Sequence, residues 1–278
     1  MADRQLVVIA ANFTFSFPAK MLAHISNNIK LGEHITQYAT NGDIKGLEQQ
    51  CYQRVLNTKG PVVLIGICIQ PDTHIMADFK QAKIPVILID ETAEGASTIT
   101  TNNFLGGYLA TEHLIHKGYR NIAIISGRTD VQGGYNSIKR LEGARQAYYD
   151  NGLIFNKNYI IEVQDYSYVD GLKTMQEIIQ DNKHVDAIFC AAGDDSAAGI
   201  LRAAREHGLS VPKDLAIVGY DDTEVAQILS PSLTTIKQPL KEMAETAYKI
   251  AVTENLDELI NNRRNVAFEP ELIIREST

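Results

Sequence analysis

Short, unbroken aliphatic runs recur along this chain with helix-length segments between them, and that rhythm leaves few folds open. The runs are 6–9, 62–69, 86–89, 122–125, 187–190 and 215–218, and most show no alternation of polar and apolar residues. Continuous apolar runs of this length suit strands covered on both faces, as in a parallel sheet. The intervening segments predict helices near 18–30, 44–57, 72–82, 104–117, 139–151, 168–182, 195–207 and 240–255. Three of them end on glycine signals, Lys117-Gly118, Asn151-Gly152 and His207-Gly208. Strand and helix in strict turn imply right-handed βαβ units and a doubly wound α/β sheet.

At 278 residues the chain is too long for one small core and suits two lobes. The rhythm breaks after Ser126-Gly127, where a glycine-rich polar segment runs to Ser137, and this is read as a crossover. A second is expected near 235–238 and a third near 268–270. The predicted lobes are therefore residues 1–127 with 238–268, and 128–237 with 269–278.

A net charge of −8 argues against a broad basic face for nucleic acid. The three cysteines form no CxxC pair, and Cys68 and Cys190 lie in apolar runs as buried thiols do. That fits a reducing, cytoplasmic setting; neither a signal peptide nor a run of membrane-spanning length is legible. His113 and His116 share a helix without a supporting ligand set, so no metal is expected. No GxGxxG, Walker or GxSxG motif occurs, and adjacent Asp221 and Asp222 make a poor catalytic pair, so neither a cofactor nor an enzyme is expected.

The stretch 211–240 is the most specific. A strand-like run ends at Val218, Gly219 is read as opening a loop with Asp221 and Asp222, and a second extended run, 233–236, reaches Gln238-Pro239. Pro239 cannot donate to a strand, so a helix is expected after it. Acceptors and amides at strand tips suit a ligand crevice in an α/β sheet. Further motifs stand at Gly106-Gly107-Tyr108-Leu109-Ala110, Arg140-Leu141-Glu142-Gly143, Ala191-Ala192-Gly193-Asp194-Asp195 and Pro270-Glu271-Leu272-Ile273. In this order they closely resemble the effector core of the LacI/GalR-type (lactose/galactose) repressors, over nearly the whole chain.

That resemblance implies two Rossmann-like lobes of the type I periplasmic-binding-protein-like class, with a sugar, nucleoside or similar effector between them. It implies a homodimer, and DNA binding only through a helix-turn-helix headpiece, which this chain, already in its core at Leu6, is read as lacking. A stand-alone solute-binding protein for transport or chemotaxis is the alternative.

A sugar needs carboxylates, amides and guanidinium groups at its rim and aromatics against its faces. Asp221 is the leading acceptor, with an Asx-turn as the plain reading, and Asp222 is read as structural. Arg140 is the donor, although a surface arginine would look the same. Asp194 either contacts ligand or caps the next helix, and Asp90 either contacts ligand or caps a turn. Gln238 would bridge ligand and hinge, and Phe15, Phe17 and Tyr166 are the aromatic candidates. Asn102 stands where many family members carry Asp, and Gly193 where they carry other residues.

Overall fold

In the computed structural model, residues 4–41, 46–129, 134–253 and 255–278 are described. The elements in chain order are β1 (Gln5–Ala10), α1 (Ser16–Ser26), β2 (His34–Ala39), α2 (Leu47–Leu56), β3 (Val62–Ile67), α3 (Thr73–Gln81), β4 (Val86–Ile89) and β5 (Ser97–Thr101). Next come α4 (Asn103–His116), β6 (Ile122–Ser126), α5 (Tyr135–Asp150), β7 (Ile160–Glu162), α6 (Tyr168–Gln180), β8 (Ala187–Cys190), α7 (Asp194–Glu206), β9 (Ala216–Asp221), α8 (Glu224–Ile228) and β10 (Thr234–Lys237). The chain closes with α9 (Leu240–Thr253), α10 (Leu256–Asn261), β11 (Asn265–Phe268) and β12 (Glu271–Ile273). The helix start expected at Ile44, and part of the polar segment after Gly127, lie outside the described residues.

Two compact units result: Met1–Thr101 with Pro239–Phe268, and Asn102–Gln238 with Glu269–Thr278. The first crossover therefore falls at Thr101-Asn102, not after Gly127. The reason is packing: Ala110 and Leu114 of α4 and Ile122 and Ile124 of β6 bury with Phe189 and Val218 in one core. The glycine-rich segment simply joins β6 to α5 within the second unit.

The first unit's sheet runs β2-β1-β3-β4-β5-β11, all pairs parallel. The second runs β7-β6-β8-β9-β10-β12, parallel except for β12 against β10. Each has its reversal of strand order between the first and third strands, β1/β3 and β6/β8, and a crevice at the carboxyl ends is expected there. Strands β3, β4, β6 and β8 are buried throughout, which explains their unbroken apolar sequence.

Local signals start several helices. The Asp72 carboxylate accepts from the N–H groups of His74 and Ile75 at the head of α3. Ser167 and Asp170 form a capping box on α6. In the second unit the helix pairs touch backbone to backbone. A Cβ on Gly143 of α5 would overlap the Phe104 carbonyl of α4, and one on Gly107 would overlap the Arg140 carbonyl. Gly171 and Gly199 do the same for α6 and α7. Several of the motif glycines are thus contact points between helices. The three cysteines are free; Cys51 and Cys190 are buried, whereas Cys68 is only half-buried, just past the end of β3.

Candidate functional site

Strand β9 does not stop at Gly219 as the sequence suggests. It continues through Tyr220 to Asp221, because Gly219 and Tyr220 keep the ladder with Thr235 and Ile236 and the Tyr220 ring is fully buried. Asp221 is therefore the strand's last residue, at φ 104°, and Asp222 follows at φ 54°. Two successive non-glycine residues at positive φ cost free energy that surrounding bonds must offset, and such strain gathers at functional sites.

Bonds of that kind hold the tip. The Gln238 amide, at the end of β10, donates to Asp221 Oδ1 at 2.6 Å. Asp222 takes the reading given to it as structural: Arg275 Nη2 donates to its Oδ1 at 2.5 Å, and Arg275 Nη1 donates to the Leu233 carbonyl at 2.8 Å. Gly193, at φ 109°, starts α7 beside Asp221, and a Cβ there would stand 3.2 Å from Asp221 Oδ2.

Asp194 was open between capping and ligand contact. It is 1% exposed and is the first residue of α7, whose N-cap position is held by Gly193. Thr235 Oγ1 donates to its Oδ1 at 2.7 Å, and Thr223 N and Oγ1 donate to its Oδ2 at 2.8 and 3.2 Å. The capping reading fails because the carboxylate turns into the sheet tips, away from its own helix. Burial, and secondarily the charge of Asp221, hold Asp194 well above the usual carboxylate range despite these bonds.

On the opposite face of the same sheet, Arg140 of α5 is 4% exposed. Its Nε donates to Asn103 Oδ1 and its Nη1 to the Ala191 carbonyl, both at 2.8 Å. Its guanidinium carbon lies 3.6 Å from the centroid of the Tyr220 ring, and the Tyr220 hydroxyl donates to Asn103 Oδ1 at 3.1 Å. The plain reading of Arg140 as an exposed surface residue is thereby excluded. Asn103 and Tyr220 were missed by sequence reasoning; Tyr220 sits in the stretch 211–240 and Asn103 just ahead of the Gly106-Gly107 motif, but nothing local marks them as partners of an arginine.

Tyr166, half-buried at φ 57°, lays its ring over Gly127, and its hydroxyl is 3.2 Å from Ser137 Oγ. Ser126 Oγ, ending β6, and Gln238 Oε1 are buried with no partner among the described residues. Asn102 caps α4 by accepting from the Leu105 N–H at 3.1 Å. In the first unit, Asp90 follows β4 at φ 55° and is 1% exposed, with the buried carboxylate of Glu91 next to it. Phe15 is the half-buried residue preceding α1. Phe17 was expected in a loop as an aromatic platform; α1 already includes it, and it packs with Met21 in the core. It is a core residue. Among the described residues no three His, Cys, Asp or Glu side chains are grouped to hold a metal ion.

Residues 111–278 match the family described as the periplasmic binding protein-like domain. The chain is 33% identical to the ribose operon repressor of Haemophilus influenzae, over 98% of its own length and 80% of that protein. The chain belongs to the LacI-type repressor family. It is also 31% identical to the HTH-type transcriptional repressor PurR of Aliivibrio fischeri, over 89% of this chain and 73% of the repressor. A solved complex of the transcriptional regulator CelR with cellobiose superposes with a TM-score of 0.84 at 25% identity, covering 100% of this chain and 85% of that one. In this LacI-type chain the two sheets form the family's effector-binding fold, and the solute-carrier alternative is not favoured.

Proposed function

We propose that this LacI-type chain binds a pentose, a related sugar or a nucleoside, and that binding governs DNA recognition by a helix-turn-helix headpiece in a cytoplasmic homodimer. Asp221, Gln238, Arg140 and Tyr166 are the contacts assigned in the second unit. The observation that carries the reading is the Asp221–Gln238 pair at the tips of β9 and β10. A strained carboxylate acceptor and an amide whose carbonyl has no partner among the described residues stand together there, and the Ser126 hydroxyl lies on the carboxyl edge of the same sheet. Vicinal hydroxyls both donate and accept, and this set answers both needs. Support for a sugar comes from the ribose operon repressor and the cellobiose-bound regulator.

Such a protein binds without turnover. The effector moves the regulator only through its different affinity for two conformations. Titration calorimetry against D-ribose, cellobiose and purine nucleosides tests this. One compound should bind, and Asp221→Asn should weaken it about 10- to 100-fold, the range for a lost charged hydrogen bond. No binding across the panel, or equal affinity in the variant, would sink the assignment; sizing chromatography decides the dimer.

A further inference from the structure

Asp194 combines three features that a buried carboxylate rarely shows together. It sits at the first turn of α7, it is almost fully buried, and its donors come from two other elements, not from its own helix. The donors bracket the strained tip. Thr223 lies two residues beyond Asp221 in sequence, and Thr235 pairs with Gly219 on the neighbouring strand. Space for the carboxylate exists because position 219 has no side chain: a Cβ there would overlap Asp194 Oδ1 and stand 2.6 Å from Leu233 Cδ2. The glycine and the acid are therefore complementary parts of one device.

We infer that Asp194 is a positioning residue of the effector site, acting through Thr223 and Thr235 to hold Asp221 at its positive φ. This deepens the reading above and rests on Asp221 being the ligand's acceptor. The physical reason is that a loop carrying two left-handed residues needs an anchor immediately after them. The Thr223 amide and hydroxyl, both bound to the buried Oδ2 of Asp194, supply that anchor. Asp194 itself does not touch the effector, since both its oxygens are turned to protein donors. Its proximity to Asp221 makes the two carboxylates feel each other, as the upward push on Asp194 indicates.

The test uses the full chain and two readouts, one free of ligand. Carboxyl carbon NMR should find the Asp194 titration midpoint well above the ordinary carboxylate range, and Asp221→Asn should lower it. In Asp194→Asn, amide exchange at Thr223 should speed up at least tenfold while that of Phe189 in the central strand stays unchanged. D-ribose affinity should fall at least tenfold. An Asp194 midpoint indifferent to Asp221→Asn, or Thr223 exchange unchanged in Asp194→Asn, overturns the inference. So does full D-ribose affinity in a variant whose Thr223 exchange has risen. If the wild type ignores D-ribose, the choice of sugar fails, and the two ligand-free measurements still decide the role of Asp194.

Discussion

The guanidinium carbon of Arg140 lies over the ring of Tyr220, 3.6 Å from its centroid, with Asn103 Oδ1 accepting from both residues. Arg140 is thus a structural tie between α4, α5, β9 and the residue that follows β8. Removing it leaves the Ala191 carbonyl and the Asn103 amide oxygen short of donors in a buried site. Arg140→Ala should cost about 2–4 kcal/mol of stability by urea unfolding. Arg140→Lys should lose more than half of that, because an ammonium cannot reproduce the planar fork. A lysine variant of native stability would mean that the stacking and the forked bonds contribute little.

The α4–α5 contact makes a second prediction. A methyl at Gly143 overlaps the Phe104 carbonyl, backbone that cannot swing aside as a side chain can. Gly143→Ala should destabilise by about 3 kcal/mol or more, or prevent folding. Gly118→Ala is the contrast: a Cβ there meets nothing within 4 Å, so only the strain of its positive φ, about 1 kcal/mol, is at issue. Thermal melts of the two variants check the difference, and similar melting temperatures would deny the close approach its weight.

Asp222 and Arg275 are both largely buried and tie the chain's last residues to the β9 tip. Asp222→Asn should lower stability by about 1–3 kcal/mol, the range for losing one partner of a charged hydrogen bond. Effector affinity should change far less than in Asp221→Asn. Calorimetry and melts on both variants test the division of labour between adjacent aspartates. A larger affinity loss at Asp222 would reverse it.

Asp194 sets a pH dependence whose sign follows from its burial. Its folded-state pKa lies above that of the unfolded chain, so the native state holds the proton more tightly. As pH climbs past the unfolded carboxylate value of about 4, the unfolded chain ionises first and native stability declines. The decline is complete once pH exceeds the raised folded value. Urea unfolding from about pH 4 to pH 8 should show a steeper loss in the wild type than in Asp194→Asn. Equal slopes would mean that Asp194 ionises as easily folded as unfolded.

Much of the architecture could be read before any coordinates. The central strands carry unbroken aliphatic runs because both their faces are buried, and that is a property of consecutive residues. Strands outside this pattern were not legible. β2 lies at an edge with no buried residue, and in β5 (Ser97–Thr101) only Ile99 is aliphatic. Of the candidate site, Asp90 and Gln238 could be placed at strand tips because each stands at the end of an extended run, and Asp221 could be placed in the loop read after the run ending at Val218. The partners of Arg140 and Asp194 could not. They lie 37 and 51 residues from Arg140, and 29 and 41 from Asp194.

Periodicity along the chain was enough to specify parallel sheets and helical layers, because backbone satisfaction and apolar burial repeat over a few residues. The ordered motifs, through their resemblance, pointed to the LacI-type family. Packing alone settled where the first unit ends, that Phe17 belongs to the core, and that Asp194 faces Thr223 and Thr235 rather than its own helix. Those outcomes depend on which distant atoms arrive beside a side chain, and no local pattern encodes that encounter.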